Sequence, residues 1–523
     1  MIVPRLPASK VAGLSGQAAI MNLSTTDLHS IVVADEMVDW RMEFKGVVMM
    51  SVWDYLNRKW SASFHGLKVY NLCSSYSYQS AGYYVSLLAP TNGHKVFPSA
   101  GTVQDLRHGD LPVAVLRELE ILTAKCLTGC KENECVINIY FGHSRDSQVQ
   151  ELANFLFYFF PSPLLQACFS WDGTGWRLKS CGALAPGDIS GYERDFILDS
   201  ARLHFAKTDA VSRVRPAQLR KLKTYQLAIL VNHSEQEAPS DSSALSAFEK
   251  AATDLGMSVR FLEKADAKHV PAHDALFIRE TTAVNHHSYE IASLAERAGL
   301  IVMDDTESIL RCTNKVFLAQ LMQRHGIPQP DTIVIHQGNL GCVPHLIGFP
   351  CVIKRPDSQF SLGVIKVHDM AELRQVCHEM MRDSDLLVAQ RYEFSPFDWR
   401  VGVLDGVPLY ACRYHMADEH WQVVRRDADG RKHEGGHDTL AIEDAPAAVV
   451  RVAVAAANAV GRGLYGVDLK QLGDRIKVIE VNDNPNIDAG VEDLVLGPLL
   501  YRRIIGHFIK RIDATRFLHE QPA

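Results

Sequence analysis

Short apolar runs that end in polar residues alternate with segments of helical periodicity along most of the chain. Near the start, the strand-like run SIVVADEM is followed by KVYNL, a Ser- and Tyr-rich turn, a helix with Tyr83 and Tyr84, and the strand-like NGHKVFPS. The order strand, loop, helix, strand is typical of an α/β layer. Residues 26–200 are therefore predicted to form an α/β domain, preceded by a poorly ordered arm at residues 1–25.

A second series of apolar runs begins after a basic segment, residues 201–223, which is predicted to be a linker. The runs QLAILVNH, SVRFLE and DALFIRETT alternate with helical patterns and predict a small parallel sheet within residues 224–310. Ligands of such sheets bind beyond the carboxyl ends of the strands. The polar residues at these ends are Asn232, His233, Arg279 and Glu280.

Residues 311–520 change to a pattern of strands joined by turns. TNKVFLAQLMQRHGIP predicts a helix that begins near Lys315 and ends at Gly326, and GFPCVIKRPDSQFSLGVIKV predicts two strands with Lys354 at the end of the first. The later runs LLVAQRY, DWRVGV and LYACRYH are predicted strands, and GLYGVDLKQLGDRIKVIEVNDNP is a predicted hairpin.

Oxygen-bearing side chains recur at the end of this hairpin. Glu480 and Asn482 are two apart and should share one face of a strand. A two-residue loop would pair Asp468 with Ile479 and turn it away, whereas a three-residue loop would pair Asp468 with Glu480. Two acids and one amide suit Mg²⁺, which prefers oxygen ligands. The alternative is a polar strand end capped by the Asn484-Pro485 pair.

Composition and charge narrow the class of partner. The 523 residues are too many for one core, and the net charge of -7 offers no general attraction to nucleic acid or to an acidic membrane. No apolar run approaches the about 20 residues that span a bilayer, and the first residues do not resemble a secretory signal. We therefore predict a cytoplasmic protein with small-molecule partners. Its 11 cysteines should be reduced thiols; a metal site at Cys126, Cys130 and Cys135 is the weaker alternative.

The order of these motifs resembles the ATP-grasp fold, and more closely the RimK-like carboxylate-amine ligases. The matching elements are NK before a helix ending in HGIP, FPCVIKRP, LLVAQRY, DWRVGV, GVDL and VIEVNDNP. The resemblance implies an α/β (α+β) fold, with an ATP-grasp domain at 311–520 preceded by a pre-ATP-grasp domain at 224–310. Residues 26–200 resemble the domain that is fused in front of RimK-like ATP-grasp modules.

The resemblance also implies roles for particular residues in binding ATP. Lys315 and Lys354 would contact the α- and β-phosphates, and either Glu393 or Asp398 would take the ribose hydroxyls. The adenine edge would be bound by the hinge formed by Gln390, Arg391, Tyr392 and Glu393. Ser361 and Gly363 lie in the loop over the phosphates, DSQFSLG, which has fewer glycines than relatives commonly have.

The resemblance further implies the reaction. The γ-phosphate of ATP would pass to a substrate carboxylate held near Arg400 and Arg413, and an amine would displace phosphate from the acyl phosphate. Asp468, Glu480 and Asn482 would bind Mg²⁺, or Mn²⁺ in its place. The expected substrates are small amino acids or peptides, and a homo-oligomer is expected. The alternatives are a RimK-type ligase that adds amino acids to a protein tail and a nucleotide-binding regulatory module without ligase activity.

Overall fold

The computed structural model describes residues 28–35, 44–108, 113–130, 133–189, 193–206, 225–357, 363–417, 421–426 and 432–520. The chain divides into two compact units. The N-terminal unit comprises the described residues within 3–219 together with residues 383–386, and the C-terminal unit comprises those within 220–382 and 387–523.

The N-terminal unit contains a parallel sheet and an antiparallel sheet. Its strands are Ser30–Ala34 (β1), Val47–Ser51 (β2), Lys68–Asn71 (β3), Lys95–Phe97 (β4), Glu134–Tyr140 (β5), Leu164–Trp171 (β6) and Trp176–Ala183 (β7). Its helices are Val52–Asn57 (α1), Ala81–Leu88 (α2), Ala100–His108 (α3), Val113–Cys126 (α4), Gln150–Phe159 (α5) and Arg194–Ala206 (α6). The parallel sheet has the order β2-β1-β3-β4 and the antiparallel sheet the order β5-β6-β7.

The C-terminal unit contains three larger sheets and a short hairpin. Its strands are Tyr225–Leu230 (β8), Met257–Leu262 (β9), Ala275–Ile278 (β10), Ile301–Met303 (β11), Thr332–Ile335 (β12), Cys351–Lys354 (β13), Val364–Val367 (β14), Leu387–Arg391 (β15), Phe397–Leu404 (β16), Val407–His415 (β17), Val424–Arg426 (β18), Lys432–Glu434 (β19), His437–Leu440 (β20), Leu464–Leu472 (β21) and Arg475–Asp483 (β22). Its helices are Ser242–Asp254 (α7), His287–Arg297 (α8), Thr306–Cys312 (α9), Lys315–Arg324 (α10), Val343–Leu346 (α11), Met370–Met380 (α12), Ala447–Val460 (α13) and Pro498–Glu520 (α14).

The three sheets of this unit differ in strand direction. The parallel sheet has the order β11-β10-β8-β9, while the sheets β12-β15-β13-β14 and β20-β17-β16-β21-β22 are antiparallel. Hairpins make the antiparallel order possible, since two-residue turns suffice to join such strands. The β16–β17 turn is Asp405-Gly406, with φ of 47° and 78°, as a turn of type I′ requires.

Helix ends in the C-terminal unit follow ordinary capping rules. The side chains of Asp241 and Asn314 accept hydrogen bonds from backbone amides in the first turns of α7 and α10. Gly326 has φ 64° two residues after α10, where a left-handed residue commonly ends a helix. The sequence prediction of a helix beginning near Lys315 is therefore confirmed.

One apolar core joins the parallel sheet to the C-terminal helix. Phe248 of α7 packs against Phe277 of β10 and Tyr501 of α14, with ring centroids 5.0 and 4.8 Å apart. The same buried cluster includes Leu409 and Tyr410 of β17. Burial of large aromatic side chains contributes most of the energy of such a core. This core positions the carboxyl end of the parallel sheet beside the five-stranded sheet.

The predicted α/β fold class is confirmed. The parallel sheet expected within residues 224–310 includes a fourth strand, β11, in addition to the three that the apolar runs predict. The arm at residues 1–25 and most of the basic segment at 201–223 lie outside the described residues. Among the helices that the structure describes, none is long and apolar enough to cross a membrane.

Candidate functional site

A cleft that is open to solvent lies between the two antiparallel sheets of the C-terminal unit. Leu318 and Met322 of α10 and Val388 of β15 form part of its apolar lining. Lys354 and Glu480 line it with charge. A pocket with apolar walls and a few charged groups is the usual form of a small-molecule site.

The β21–β22 hairpin brings the three predicted metal ligands to one face. Asp468 pairs with Glu480, and Gly466 pairs with Asn482. Because directly paired residues and residues two apart share a face, the oxygen atoms of Asp468, Glu480 and Asn482 lie on the same side of the sheet. The predicted pairing of Asp468 with Glu480 is confirmed.

The loop that should produce this pairing was predicted wrongly. Leu472 pairs with Arg475, so the turn has two residues, and Gly473 at its first position has φ 63°. A β-bulge instead shifts the register, since Leu469 pairs with Val478 while Asp468 pairs with Glu480. The extra residue is Ile479, and one extra residue reverses the faces of all the residues beyond it.

Cations and acids are interleaved on this face. Arg400 of β16 donates two hydrogen bonds to Asp468, from Nε to Oδ1 and from Nη2 to Oδ2, each 2.8 Å long. Nζ of Lys315 lies 2.7 Å from Oε1 of Glu480, and Nδ2 of Asn482 donates to Oδ2 of Asp468 at 3.0 Å. The carboxylates are thus held in place by side chains that can also bind phosphate.

Burial and neighbouring charges determine the protonation states of Glu480, Lys354 and Arg400. Burial alone would raise the pKa of Glu480, but the fields of Lys315, Lys354 and Arg400 outweigh it and lower the pKa. Burial lowers the pKa of Lys354 to about 8 in spite of the nearby Glu480 carboxylate. Burial would likewise lower the pKa of Arg400, but Asp468 raises it well above its usual range. At neutral pH Glu480 is ionised and Arg400 is charged.

The predicted hinge residues lie at the end of β15 and just beyond it. Gln390 is buried, and its Nε2 donates to Oγ1 of Thr332 at 3.0 Å. Arg391 is exposed and pairs with Asp331 at 2.8 Å. Among these residues, only the Gln390 side chain lines the cleft.

The next two hinge residues have different surroundings. Nζ of Lys366 lies 4.6 Å from the centre of the Tyr392 ring, over its face. Oε1 of Glu393 lies 2.6 Å from Nζ of Lys477, while its buried Oε2 has no hydrogen-bond partner within the described residues.

The carboxylate of Asp398 already accepts hydrogen bonds from two neighbouring side chains. Its Oδ1 accepts hydrogen bonds from Nζ of Lys470 at 2.7 Å and from Oγ of Ser395 at 3.1 Å. Burial raises the pKa of Asp398, and the Lys470 charge acts in the opposite direction. Lys470 was not singled out from the sequence, although it lies two residues from Asp468 on the same face.

Arg413 does not lie with Arg400. Arg400 pairs with Cys412, whereas Arg413 pairs with Trp399, so the two arginines project from opposite faces of the sheet. The Arg413 guanidinium lies over the Trp399 ring, 5.9 Å from its centre, and 3.1 Å from Asp438. The expectation that both arginines meet one acyl phosphate is not met by this arrangement.

The structure describes the last residue of the phosphate loop, Gly363. Gly363 has φ 71°, and its carbonyl accepts a hydrogen bond from the backbone amide of Arg355 at 2.9 Å. Ser361 lies outside the described residues. Of the loop DSQFSLG, residues 357–363, the structure describes Asp357 and Gly363.

A buried arginine from the parallel sheet supports the strand end beyond the triad. Arg279 is 1% exposed and donates hydrogen bonds to Oδ1 of Asn484 at 2.7 Å and to the carbonyl of Pro485 at 3.0 Å. It also donates to Ser240 at 3.0 and 2.8 Å. The sequence indicated Arg279 only as a strand-end residue.

The residues on the triad face fit Mg²⁺ and a polyphosphate. Two carboxylates and an amide oxygen form the hard-oxygen donor set that Mg²⁺ prefers. Lys315, Lys354 and Arg400 provide three cations around two carboxylates, which suits a ligand of high negative charge. The donor chemistry therefore matches both groups.

Comparisons with known proteins agree with this geometry. Two family models match the chain: the RimK-like ATPgrasp N-terminal domain over residues 52–200 and the RimK-like ATP-grasp domain over residues 312–495. The latter range contains every residue assigned above to the cleft and the hairpin.

Individual relatives were also found. The "Probable alpha-L-glutamate ligase" of Marinomonas sp. (strain MWYL1) is 26% identical over 270 residues, which are 51% of this chain and 83% of that protein. The "Probable alpha-L-glutamate ligase 2" of Shewanella amazonensis (strain ATCC BAA-1098 / SB2B) is 27% identical over 261 residues, or 49% of this chain and 82% of that protein. The crystal structure of D-alanine--D-alanine ligase from Bacillus anthracis aligns with a TM-score of 0.43 at 15% identity, over 57% of this chain and 100% of that chain.

The two matched domains and the named relatives identify the family of this chain. The chain is a member of the RimK-like ATP-grasp family, and it is an ATP-dependent ligase that forms amide bonds.

Proposed function

We propose that the enzyme joins the carboxylate of a small amino acid or peptide to an amine through an acyl phosphate. The observation that carries this proposal is the shared face of Asp468, Glu480, Asn482 and Arg400 beside Lys315. Phosphoryl transfer needs positioning and charge stabilisation more than covalent chemistry, and these residues supply both.

Each cation has a distinct part in this proposal. Lys315 and Lys354 hold the α- and β-phosphates, and Arg400 stabilises the charge that develops on the transferred phosphoryl group. Asp468, Glu480 and Asn482 would hold Mg²⁺, which neutralises phosphate charge when bound. Arg413 is left out of this set because it projects from the opposite face and pairs with Asp438.

The remaining predicted residues have supporting parts. The backbone of the hinge at residues 390–393 would meet the adenine edge, with Tyr392 beside Lys366 at its end. Gly363, which has a positive φ, would let the phosphate loop approach closely. The proposed division of the chain is 26–200, 224–310 and 311–520, and the two family matches fall within its first and last parts.

Glu393 is the better candidate of the two ribose ligands. Its Oε2 is a buried acceptor without a partner among the described residues, whereas Oδ1 of Asp398 already accepts two hydrogen bonds. A buried carboxylate oxygen with no donor loses free energy, which a ribose hydroxyl would recover. We therefore assign the ribose to Glu393 and the positioning of Lys470 to Asp398.

A nucleotide analogue tests this assignment. Glu393→Gln should raise the KM for ATP about tenfold, because a hydrogen bond to a charged group contributes about 1.5–3 kcal/mol. The unchanged protein should prefer ATP to 2′-deoxy-ATP or 3′-deoxy-ATP, and the variant should lose that preference. Asp398→Asn is the matched control and should keep it. Loss of the preference in Asp398→Asn alone would reverse the assignment.

The substrate class is proposed from chemistry and from the relatives. The two curated relatives are named as ligases of alpha-L-glutamate. We propose an amino acid as the amine and a free amino acid or short peptide as the carboxylate. The carboxylate would approach the phosphoryl group near Arg400, which offers planar, bidentate donors.

The test is ADP release with Mg²⁺ and ATP across pairs of amino acids, dipeptides and small dicarboxylates, with mass spectrometry of the product. Release that needs both a carboxylate and an amine, and a product heavier than the carboxylate by the amine less one water, is the expected result. Labelling of a protein band instead would assign the activity to a protein tail. ATP binding without release for any pair or protein would overturn the proposed reaction.

A further inference from the structure

A second group of potential ligands lies at the carboxyl end of β10. Glu280 follows this strand, and His286 and His287 stand at the start of α8. One ligand atom from each residue lies within 4.8 Å of the other two. Of the described residues searched, these form the one such group of at least three His, Cys, Asp or Glu side chains.

The acid in this group is buried, and His287 makes a close contact with it. Glu280 is 1% exposed, and neither of its carboxylate oxygens makes a hydrogen bond within the described residues. Nε2 of His287 lies 2.6 Å from Oε1 of Glu280, yet it also makes no hydrogen bond of acceptable direction. Buried polar groups are normally hydrogen-bonded, and a missing ion is one recognised reason for an exception.

The two histidines are arranged to leave ring nitrogens for a ligand. Nδ1 of His286 lies 2.8 Å from Oγ of Ser288 and accepts a hydrogen bond from the Ser288 backbone amide at 3.3 Å. For Nε2 to bind a metal, the ring proton must therefore move to Nδ1, where Oγ of Ser288 can accept it. A hydrogen bond at the second nitrogen is the usual way in which a metal-binding histidine is oriented. The two imidazole rings are 3.9 Å apart between centroids.

We propose that Glu280, His286 and His287 form a binding site for a borderline divalent cation such as Zn²⁺, distinct from the Mg²⁺ triad. Two imidazoles and one carboxylate are a donor set that suits Zn²⁺ better than Mg²⁺, which prefers oxygen alone. Three protein ligands leave a fourth tetrahedral position for water or a substrate group.

The backbone connects this site to the ligase hairpin. Nδ2 of Asn484 donates to the backbone carbonyl of Glu280 at 2.6 Å, two residues beyond Asn482. On loading, the Nε2–Oε1 distance should open from 2.6 Å. Metal bonds of about 2.1 Å at tetrahedral angles place neighbouring ligand atoms about 3.4 Å apart. The positive charge of Lys264 acts on the same three side chains. A divalent cation must therefore bind against the repulsion of this lysine.

Cobalt titration tests the site. The full-length protein, stripped with a chelator and free of ATP, is titrated with Co²⁺ while the visible absorption of tetrahedral cobalt is recorded. One equivalent of Co²⁺ should bind and give the visible absorption of a tetrahedral site with histidine ligands. Added Zn²⁺ should displace the Co²⁺ and remove this absorption. Glu280→Gln and His287→Gln should each weaken Co²⁺ binding about tenfold or more. His273→Gln, two residues before β10 and so at the opposite end of that strand, is the control and should bind as the unchanged protein does.

A second comparison separates this site from the triad. Asp468→Asn should keep the cobalt absorption, because it alters only the proposed Mg²⁺ ligands. Loss of the signal in Asp468→Asn, or equal binding by Glu280→Gln, His287→Gln and the unchanged protein, would overturn the proposal. If Glu280→Gln does not fold, His287→Gln decides, since its side chain is 13% exposed. Binding is measured without ATP, so the result does not depend on the ligase reaction.

Discussion

Replacement of Glu480 by glutamine should lower the rate of Mg²⁺-dependent ADP release by about 100-fold or more. The substitution keeps the shape of the side chain but removes the charge that both Lys315 and the proposed metal require. The lowered pKa of Glu480 means that this charge is present at neutral pH. The measurement is the steady-state rate of ADP release with the substrate pair found by the product assay.

The matched control lies in the same hairpin. Asp474→Asn also removes one carboxylate charge, but from the exposed turn, and should leave the rate unchanged. Circular dichroism should show that both variants are folded. A Glu480→Gln protein as active as the unchanged protein would remove Glu480 from the proposed metal site.

Replacement of Arg279 by methionine should lower the free energy of unfolding by about 3–5 kcal/mol. Arg279 is almost fully buried, and its guanidinium bonds Ser240, Asn484 and Pro485. Methionine fills similar volume but leaves these acceptors without donors in the interior. Burial lowers the pKa of Arg279 to about 10, so the side chain remains charged at neutral pH.

Urea unfolding followed by circular dichroism measures this loss. Arg260→Met on β9 is the control, because that arginine is exposed on an edge strand of the same sheet. It should unfold at the same urea concentration as the unchanged protein. If Arg279→Met also unfolds at the urea concentration of the unchanged protein, the buried hydrogen bonds of Arg279 do not contribute to the free energy of unfolding.

Strand ends and the triad could be predicted from the sequence because their signals are local. The spacing of Glu480 and Asn482 determines a shared face on any regular strand, and the pairing with Asp468 followed from the metal hypothesis. The mechanism of that pairing was not predictable. A two-residue turn with a bulge and a three-residue turn without one give the same pairing at Asp468, and only the structure distinguishes them.

Long-range packing explains the other differences. The face on which Arg413 projects depends on pairing between β16 and β17, which motif order alone does not specify. Arg279 and Asn484 are 205 positions apart, so no local pattern reveals their hydrogen bond. Glu280 was noted as a strand-end residue, but its proximity to His286 and His287 depends on how the chain returns from β10 to α8.

The bulge at Ile479 has a consequence for engineering the enzyme. The turn at Gly473 and Asp474 is exposed, and four paired positions of β21, residues 469–472, separate it from Asp468. Because the bulge, and not the length of the turn, orients the triad, we expect a label or short peptide tag inserted at this turn to leave the ligand geometry intact. The hairpin tip is therefore a suitable attachment point for a fluorophore that reports on nucleotide exchange at the site.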